Sequence, residues 1–351
     1  MQRTIKTNLS KKKDLFNVLA LAEAISLPVL LIGDPGVAKT AAVMDYAKSA
    51  KGGTLNNDDV FLLETDEGTR SNAVKGNIDL EALTTTNKYK IVSPIADAEF
   101  VIINEIDKAS ASLRNSLLGV MNEKVLFNGA EKKQCKWNTF VATCNKIPED
   151  EKDSPFWDRF AITFRVDRLR EADMLEYFQN GGRDNVQEYK VNLPEGNVIS
   201  ENLAKLDIKK IKMVMDICYG SLSDRTLTYV PKLVSNIMAV YNTSQDRAFV
   251  KAVELLVGKV EADILSKSIM SKELRALYDQ VDMIGGCIND DQYRDVMLKV
   301  NSMGDKLLKS GKLNDEDQKD IIARAVEQQD KLPFLSEEVE ETEIMDELSQ
   351  Y

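Results

Sequence analysis

The sequence predicts an α/β fold built on a parallel sheet, followed by a region made of helices. Short apolar runs alternate with amphipathic segments as far as about residue 170, a pattern typical of strands covered by helices on both faces. A glycine-bearing loop directly follows the first apolar run. Beyond residue 170 strand signals fade and helical periodicity dominates.

Five apolar runs are predicted as the strands of the sheet, and amphipathic segments between them as its helices. The strands are predicted at 27–32, 60–64, 100–104, 139–145 and 161–166. The helices are predicted at 14–27, 40–50 and 111–122, with a short helix before Arg159. This alternation indicates a doubly covered parallel sheet.

Changes in composition divide the chain into four parts. Residues 1–180 are predicted to form the α/β domain and 195–265 a helical domain, with the polar segment Gly181–Pro194 as a linker. A second helical region is predicted over 268–332. The tail, 333–351, carries acidic and no basic side chains. We expect it to be either a solvated, disordered end or a docking peptide with an apolar stripe.

Composition excludes several classes of function. The 351 residues suit two or three domains, and a net charge of −11 argues on electrostatic grounds against bulk affinity for nucleic acid. The absence of histidine excludes a Cys/His zinc site and a histidine base, and the four cysteines, which lack metal-ligand spacing, are expected to be buried. No membrane span or signal core is visible, so we expect a cytoplasmic protein.

Residues 33–41 have the residue types of a phosphate-binding loop. Gly33 and Gly36 permit tight turns that point backbone N–H groups inward. Lys39 can reach the β and γ phosphates of ATP, Thr40 offers a hydroxyl to Mg²⁺, and the following helix directs its positive end at the anion. Ala38 stands where the G-x-x-x-x-G-K-[ST] pattern has its last glycine. The predicted nucleotide-binding residues of the loop are Gly33, Asp34, Pro35, Gly36, Val37, Ala38, Lys39, Thr40 and Ala41.

The strand over 100–104 ends in Asn104-Glu105, where a second polar site is expected. Hydrolysis of a nucleoside triphosphate needs a group that orients the attacking water, and parallel strands end at one crevice of the sheet. Glu105 is predicted as the catalytic base. Asn104 is predicted on the metal side, where its amide can accept a hydrogen bond from a Mg²⁺-bound water without adding charge, so metal binding is expected to be weakened. The alternative is a strand end that only caps the next helix.

Three further polar residues follow the predicted elements. Asn145 ends the next strand and is predicted to position the attacking water, or else to form a turn. Arg159 precedes the last strand and is predicted to act as an arginine finger on a neighbouring subunit; the alternative is a weak surface ion pair. Arg225 opens a helix and is predicted either to fold back onto the nucleotide or to be a plain solvated helix start.

Together these pieces resemble an AAA+ ATPase of the MoxR type, and the RavA branch is the most similar. The resemblance covers roughly residues 10–265 and lies in the order and spacing of several stretches. The similar stretches are Leu31–Thr40, Thr69–Gly76, Ile91–Ser110, Asn115–Glu123, Ala142–Glu149 and Phe156–Phe160. Two departures stand out: Asn104 replaces the family's aspartate, and the chain beyond about residue 268 does not follow the RavA accessory regions.

The resemblance implies a ring of six copies with ATP and Mg²⁺ bound between subunits. One subunit would contribute the loop residues, Glu105 and Asn145, and the next would contribute Arg159. Arg225 matches the second-sensor arginine of a helical lid, here 195–265. The family's two extra hairpins would lie at 72–94 and 124–137, the second with a turn at Asn128-Gly129. Members of the family are described as chaperone-like remodellers or metal-insertion helpers that work with a partner containing a von Willebrand factor A domain.

Three functions remain open at this point. The leading one is a ring-forming ATPase that couples hydrolysis to remodelling, chaperoning or activation of a protein partner. The alternative is a nucleotide-gated assembly module that binds ATP and oligomerises with little hydrolysis, and Asn104 motivates it. A nucleic-acid motor is the third, and the acidic charge balance counts against it.

Overall fold

A five-stranded parallel sheet is the centre of the first of two compact units, Met1–Leu265 and Ser266–Tyr351. The computed structural model describes residues 1–56, 58–78, 84–85, 91–128, 131–149, 154–179, 185–311, 313 and 315–332. The strands are β1 (Gln2–Thr7), β2 (Val29–Ile32), β3 (Val60–Glu64), β4 (Asn77–Ile78), β5 (Ile91–Val92), β6 (Phe100–Asn104), β7 (Val125–Asn128), β8 (Glu131–Gln134), β9 (Thr139–Cys144), β10 (Ile162–Arg165) and β11 (Gln187–Asn192). The helices of the first unit are α1 (Lys13–Ile25), α2 (Lys39–Ala50), α3 (Asn72–Lys75), α4 (Pro94–Asp97), α5 (Ala111–Asn122), α6 (Glu171–Gln179), α7 (Gly196–Ala204), α8 (Ile208–Cys218), α9 (Asp224–Tyr241) and α10 (Gln245–Leu256).

The sheet has the strand order β10-β2-β9-β6-β3, and every neighbouring pair is parallel. The central strand β9 is buried along its whole length, and Phe100–Ile103 of β6 is buried as well. Continuous apolar runs are the expected sequence of strands covered on both faces. The predicted α/β fold with a parallel sheet is therefore confirmed, and all five predicted strands are present.

A second, small sheet was not anticipated from the sequence. Strand β11 lies inside the predicted linker Gly181–Pro194 and pairs antiparallel with β1 near the chain start, with Gln2 opposite Asn192 and Thr7 opposite Gln187. The linker prediction is wrong for these residues. Ile5 and Val191 point into the core, but the pairing joins segments far apart in sequence, and local patterns do not reveal it.

Helices α7 to α10 complete the first unit. Helix α9 packs against α1, α7 and α10, and its buried Ser235 donates a hydrogen bond to the Ile199 carbonyl at 2.7 Å. Because residues 1–265 form one compact unit, the predicted division into a domain over 1–180 and a lid over 195–265 stays a prediction.

Helices also make up the described part of the second unit. Helix α11 (Lys259–Ile269) runs across the division, and α12 (Lys272–Ile284), α13 (Asp290–Lys309) and α14 (Asp315–Gln329) share one apolar core. The predicted helical C-terminal region is confirmed. The acidic tail 333–351 lies outside the described residues.

The predicted hairpins are described in part. Strands β7 and β8 pair antiparallel, whereas Gly129 of the expected turn lies outside the described residues, as does much of 72–94. The four cysteines are buried thiols, and burial raises the pKa of Cys144 to about 12. Among the described residues, no helix is long and apolar enough to cross a membrane.

Candidate functional site

The glycine-bearing loop connects β2 to α2 at the carboxyl edge of the sheet, beside the end of β9. The Gly33 amide donates to the Cys144 carbonyl at 3.2 Å, which attaches the loop to the neighbouring strand. Gly36 and Ala38 both have positive φ angles, +85° and +62°. The position where the sequence pattern expects glycine is thus a left-handed one, and an alanine there costs of the order of 1 kcal/mol.

Lys39 begins helix α2, and its buried ammonium points back into the loop. Its Nζ atom donates to the Gly33 carbonyl at 2.5 Å and the Asp34 carbonyl at 3.0 Å, and lies 3.4 Å from Oδ1 of Asn145. Burial lowers the pKa of Lys39 below its ordinary value of 10.5, an effect that Cys144 and nearby carboxylates oppose. The structure therefore brings the predicted loop lysine and the predicted strand-end asparagine together.

Thr40 and Asn104 meet at the same edge. The Thr40 hydroxyl donates to Oδ1 of Asn104 at 2.7 Å, and the Thr143 hydroxyl donates to the same oxygen at 2.5 Å. The Asn104 amide nitrogen donates to Oε2 of Glu64 at 2.7 Å. The predicted metal-side pair is thus in direct contact, with two partners, Thr143 and Glu64, that the sequence did not single out.

Glu105 has a strained backbone, with a φ of +55°. Three hydrogen bonds hold it: its amide donates to the Thr143 hydroxyl, and its carbonyl accepts from the Thr65 hydroxyl and the Lys108 amide. Its carboxylate forms an ion pair with Lys108 at 2.7 Å. Left-handed backbone held in this way is often found at functional sites.

Arg159 lies at the amino ends of the strands, whereas the loop lies at their carboxyl ends. It ends a short 3₁₀ helix, Trp157–Arg159, just before β10, whose first residue pairs with the first residue of β2. The four residues of β2 therefore separate it from the loop, a distance of roughly 13 Å at the usual strand rise. Its guanidinium contacts Asp158 at 3.2 Å, and its Nε has no hydrogen-bond partner among the described residues.

Arg225 lies beside Arg159. It is at the start of α9, as predicted, and donates to Oδ1 of Asn122 at 2.8 Å. Arg159 and Arg225 line one cavity of about 180 Å³, together with Pro28 and Ala161 at the amino ends of β2 and β10. The structure therefore does not show Arg225 folded back onto the loop of its own chain, because α9 begins at the far edge of the sheet.

Three contact residues were missed by the sequence reasoning: Glu64, Thr143 and Asn122. Glu64 and Thr143 both carry a usable signal, since each is a polar residue at or next to the carboxyl end of a predicted strand. Asn122 carries no comparable signal, because it ends a helix whose packing partner is not evident from the sequence.

The strand order, the glycine loop closed by Lys-Thr and the polar strand ends beside it define a P-loop protein with the AAA+ fold. Residues 1–207 match the family model bpMoxR, the MoxR domain in the MoxR-vWA-beta-propeller ternary systems. This match spans more than half of the chain, and the chain therefore belongs to that family.

Two curated proteins and one solved structure are also similar to this chain. A structural protein of Acidianus two-tailed virus is 32% identical over 138 residues, which is 38% of this chain and 22% of the viral protein. An uncharacterized protein of Methanocaldococcus jannaschii is 24% identical over 73% of this chain and 63% of its own length. The chain thus spans less than two thirds of either relative. A crystal structure of a candidate ATPase from Cytophaga hutchinsonii shares the fold, with a TM-score of 0.51 and 16% identity over 70% of this chain and 81% of that one.

Proposed function

We propose that this protein is a ring-forming ATPase that couples ATP hydrolysis to remodelling, chaperoning or activation of a protein partner. The proposal rests on two side-chain hydrogen bonds at the carboxyl ends of the strands. One joins Lys39 to Asn145, and the other joins Thr40 to Asn104. These contacts join the loop to the ends of the two strands from which water and metal would be positioned.

The loop provides the phosphate-binding groups. In the proposed complex, Lys39 exchanges contacts with the loop carbonyls for contacts with phosphate oxygens, and the N–H groups of residues 33–41 and the start of α2 face the same anion. An ammonium has three donors, and its three neighbours here are all protein oxygens. Phosphate binding therefore needs a small rearrangement of this side chain.

The donor set at Thr40 fits Mg²⁺. The hydroxyl of Thr40, the amide of Asn104 and the carboxylate of Glu64 form a chain of oxygen-bearing groups, the chemistry that this hard cation prefers. When bound, Mg²⁺ would neutralise charge on the phosphate oxygens. Thr40 would hold the ion, and Asn104 would hold Thr40.

Glu105 and Asn145 would act on the attacking water. Glu105 would accept its proton, which requires the carboxylate to leave Lys108 or to share it. Asn145, already 3.4 Å from the Lys39 ammonium, would orient the water toward the γ-phosphate.

The two arginines support an assembly of several copies. Arg159 and Arg225 line one cavity at the edge of the sheet far from their own loop, so they would complete the nucleotide site of an adjacent copy. A head-to-tail interface gives a closed ring when its rotation closes, and we propose a hexameric ring from the family resemblance.

The family also suggests the partners. Its model is described for ternary systems of MoxR, von Willebrand factor A and β-propeller proteins. We propose a von Willebrand factor A domain protein as the direct partner. The RavA branch suggested by the sequence stays a prediction, because the matching model is described for the ternary systems.

The test is steady-state phosphate release from ATP by the wild type, Lys39→Ala and Glu105→Gln. We expect both variants to lose most of the turnover, while the controls Lys48→Ala and Glu201→Gln, exposed positions of the same charge, retain it. Equal release from the wild type and both site variants contradicts the proposal.

A second function is favoured by two observations, the amide at position 104 and the ion pair that engages Glu105. Together they fit a nucleotide-gated assembly module with little turnover. Light scattering would then show ATP-dependent oligomers, and phosphate release would not exceed the Glu105→Gln background. Sustained wild-type turnover well above that background excludes this alternative.

A further inference from the structure

Glu64 lies directly opposite Asn104 in the parallel pairing of β3 with β6. Its Oε2 atom accepts a hydrogen bond of 2.7 Å from the Asn104 amide nitrogen, and its side chain is exposed at the edge where the loop lies. The Glu64 carboxylate is therefore hydrogen-bonded to Asn104, the uncharged residue at the position where the family has an aspartate.

The orientation of the Asn104 amide is determined by its neighbours. A carboxylate accepts hydrogen bonds and does not donate them, so the atom facing Glu64 must be the amide nitrogen. The amide oxygen then accepts from the hydroxyls of Thr40 at 2.7 Å and Thr143 at 2.5 Å. The Thr143 hydroxyl is free to donate because its own lone pair accepts from the Glu105 amide.

The amide oxygen of Asn104 has no acceptor capacity left. A carbonyl oxygen has two lone pairs, and the two threonine hydroxyls occupy both. Asn104 therefore cannot also accept a hydrogen bond from a metal-bound water, the role expected for it from the sequence. Oε1 of Glu64, by contrast, has no hydrogen-bond partner among the described residues.

We propose that Glu64 provides the negative charge of the magnesium site, accepting a hydrogen bond from a water on the ion, while Asn104 links it to Thr40. The inference rests on the proposed function. Mg²⁺ keeps several waters in protein sites and is held by one or two carboxylates. Glu64 is placed to be one of them, because the hydrogen-bonded chain Thr40–Asn104–Glu64 leads from the loop to its carboxylate.

Asp107 is the rival carboxylate. Its Oδ1 is buried and has no hydrogen-bond partner in the described part of the chain. It belongs to the 3₁₀ turn Ile106–Lys108, and its charge helps to keep the pKa of Lys39 from falling further under the effect of burial. Among the described residues, Asp107 has no hydrogen bond to Thr40 or Asn104, whereas Glu64 is connected to the metal-side hydroxyl of Thr40 through Asn104.

The test measures how much Mg²⁺ strengthens binding of a non-hydrolysable ATP analogue, as the ratio of Kd values without and with the ion. We expect Glu64→Gln to lower this ratio about tenfold, as is typical for loss of a group outside the first ligand sphere. Binding without Mg²⁺ should not weaken, because a negative charge near the phosphates is removed. Affinity for Mn²⁺ in the presence of the analogue, followed by electron paramagnetic resonance, should fall in parallel.

Two further variants make the test specific. The double variant Glu64→Gln, Asn104→Asp transfers the carboxylate from position 64 to its hydrogen-bond partner at position 104 and should restore the effect of Mg²⁺ on binding. The matched control Glu67→Gln removes an exposed carboxylate from the same segment and should keep the wild-type ratio. An unchanged ratio in Glu64→Gln, or a loss seen in Asp107→Asn in its place, overturns the inference.

Failure of the inference and failure of the proposed function give different results. If the wild type binds the analogue, Lys39→Ala abolishes binding and Glu64→Gln leaves the Mg²⁺ effect intact, the nucleotide site stands and the role of Glu64 is wrong. If the wild type does not bind the analogue at all, both the proposed function and the inference are overturned.

Discussion

Gly33 and Val166 approach so closely that a β-carbon on Gly33 would lie 2.3 Å from the Val166 backbone carbonyl oxygen. Real β-carbons essentially never come within 3.0 Å of another heavy atom. The contact joins the start of the phosphate loop to the end of β10, where the Val166 amide donates to the Ile32 carbonyl at 2.7 Å. The glycine is thus required by packing as well as by the loop.

We predict that Gly33→Ala destabilises the protein by about 2 kcal/mol, because the backbone must move to admit the methyl group. Chemical denaturation measures this. The control is Gly196→Ala: among the described residues outside its immediate neighbourhood in the chain, no atom lies within 4 Å of a β-carbon there, and the change should be neutral or stabilising. Equal stability of Gly33→Ala and the wild type would contradict the close contact.

Ala38 provides a second prediction, because its φ of +62° is left-handed. A β-branched side chain tolerates this conformation poorly, so Ala38→Val should lower the free energy of unfolding by about 1–3 kcal/mol. Ala38→Gly, in contrast, relieves strain and should stay within about 1 kcal/mol of the wild type.

The comparison between these variants needs a control for the β-branched side chain itself. Ala41→Val, in the exposed first turn of α2, tests helix propensity alone and should cost only about 0.6 kcal/mol. If Ala38→Val were as stable as Ala41→Val, the left-handed conformation of residue 38 would be wrong.

Lys39 predicts a pH dependence of nucleotide binding. Burial lowers the pKa of its ammonium, so in the free protein the charge is lost as pH rises, before the ordinary value of 10.5 is reached. A bound triphosphate favours the charged form, so binding at alkaline pH takes up a proton and the affinity falls as pH rises. Calorimetry in buffers of different ionisation enthalpy measures this uptake.

The same pKa shift affects the stability of the free protein in the opposite direction: the free energy of unfolding rises with pH, whereas nucleotide affinity falls. The folded state binds fewer protons at Lys39 than the unfolded state, so this residue's contribution to stability improves as pH rises through the lowered pKa. Lys39→Arg keeps its charge and should abolish the proton uptake. Uptake that persists in Lys39→Arg would assign it to another group.

The location of Arg159 predicts complementation between variants. If Arg159 completes the nucleotide site of the next copy, Lys39→Ala and Arg159→Ala are each inactive alone. In a random mixture of equal amounts of the two variants, about one subunit interface in four has both residues. Phosphate release from the mixture should therefore recover to a measurable fraction of the wild type. The control is a mixture of Lys39→Ala with the double variant Lys39→Ala, Arg159→Ala, in which no subunit interface has both residues.

Arg225 offers an independent check of the same arrangement, because it lines the same cavity as Arg159. Arg225→Ala should be complemented by Lys39→Ala in the same way. If Arg225→Ala is not complemented by Lys39→Ala while Arg159→Ala is, Arg225 acts within its own chain.

Much of the site could be predicted from local sequence. The loop at 33–40 and the polar residues after β6 and β9 are local patterns, and parallel strands bring their carboxyl ends to one edge without further information. Lys39, Thr40, Asn104 and Asn145 are therefore found together as expected. The sequence predicted the strand that ends in Glu64, but it did not predict that this strand lies beside β6. Which strands are neighbours depends on the strand order of the sheet, and Glu64 was therefore missed.

The sequence by itself determined the alternation of strands and helices, the phosphate loop and the family, because the first two are local patterns and the third is carried by the order and spacing of short stretches along the chain. The tertiary structure alone decided the pairing of β1 with β11, the partners of Asn104 and the side of the sheet on which Arg225 lies. These contacts join residues 39 to 190 positions apart. Their formation depends on the packing of whole elements, and no local pattern encodes it.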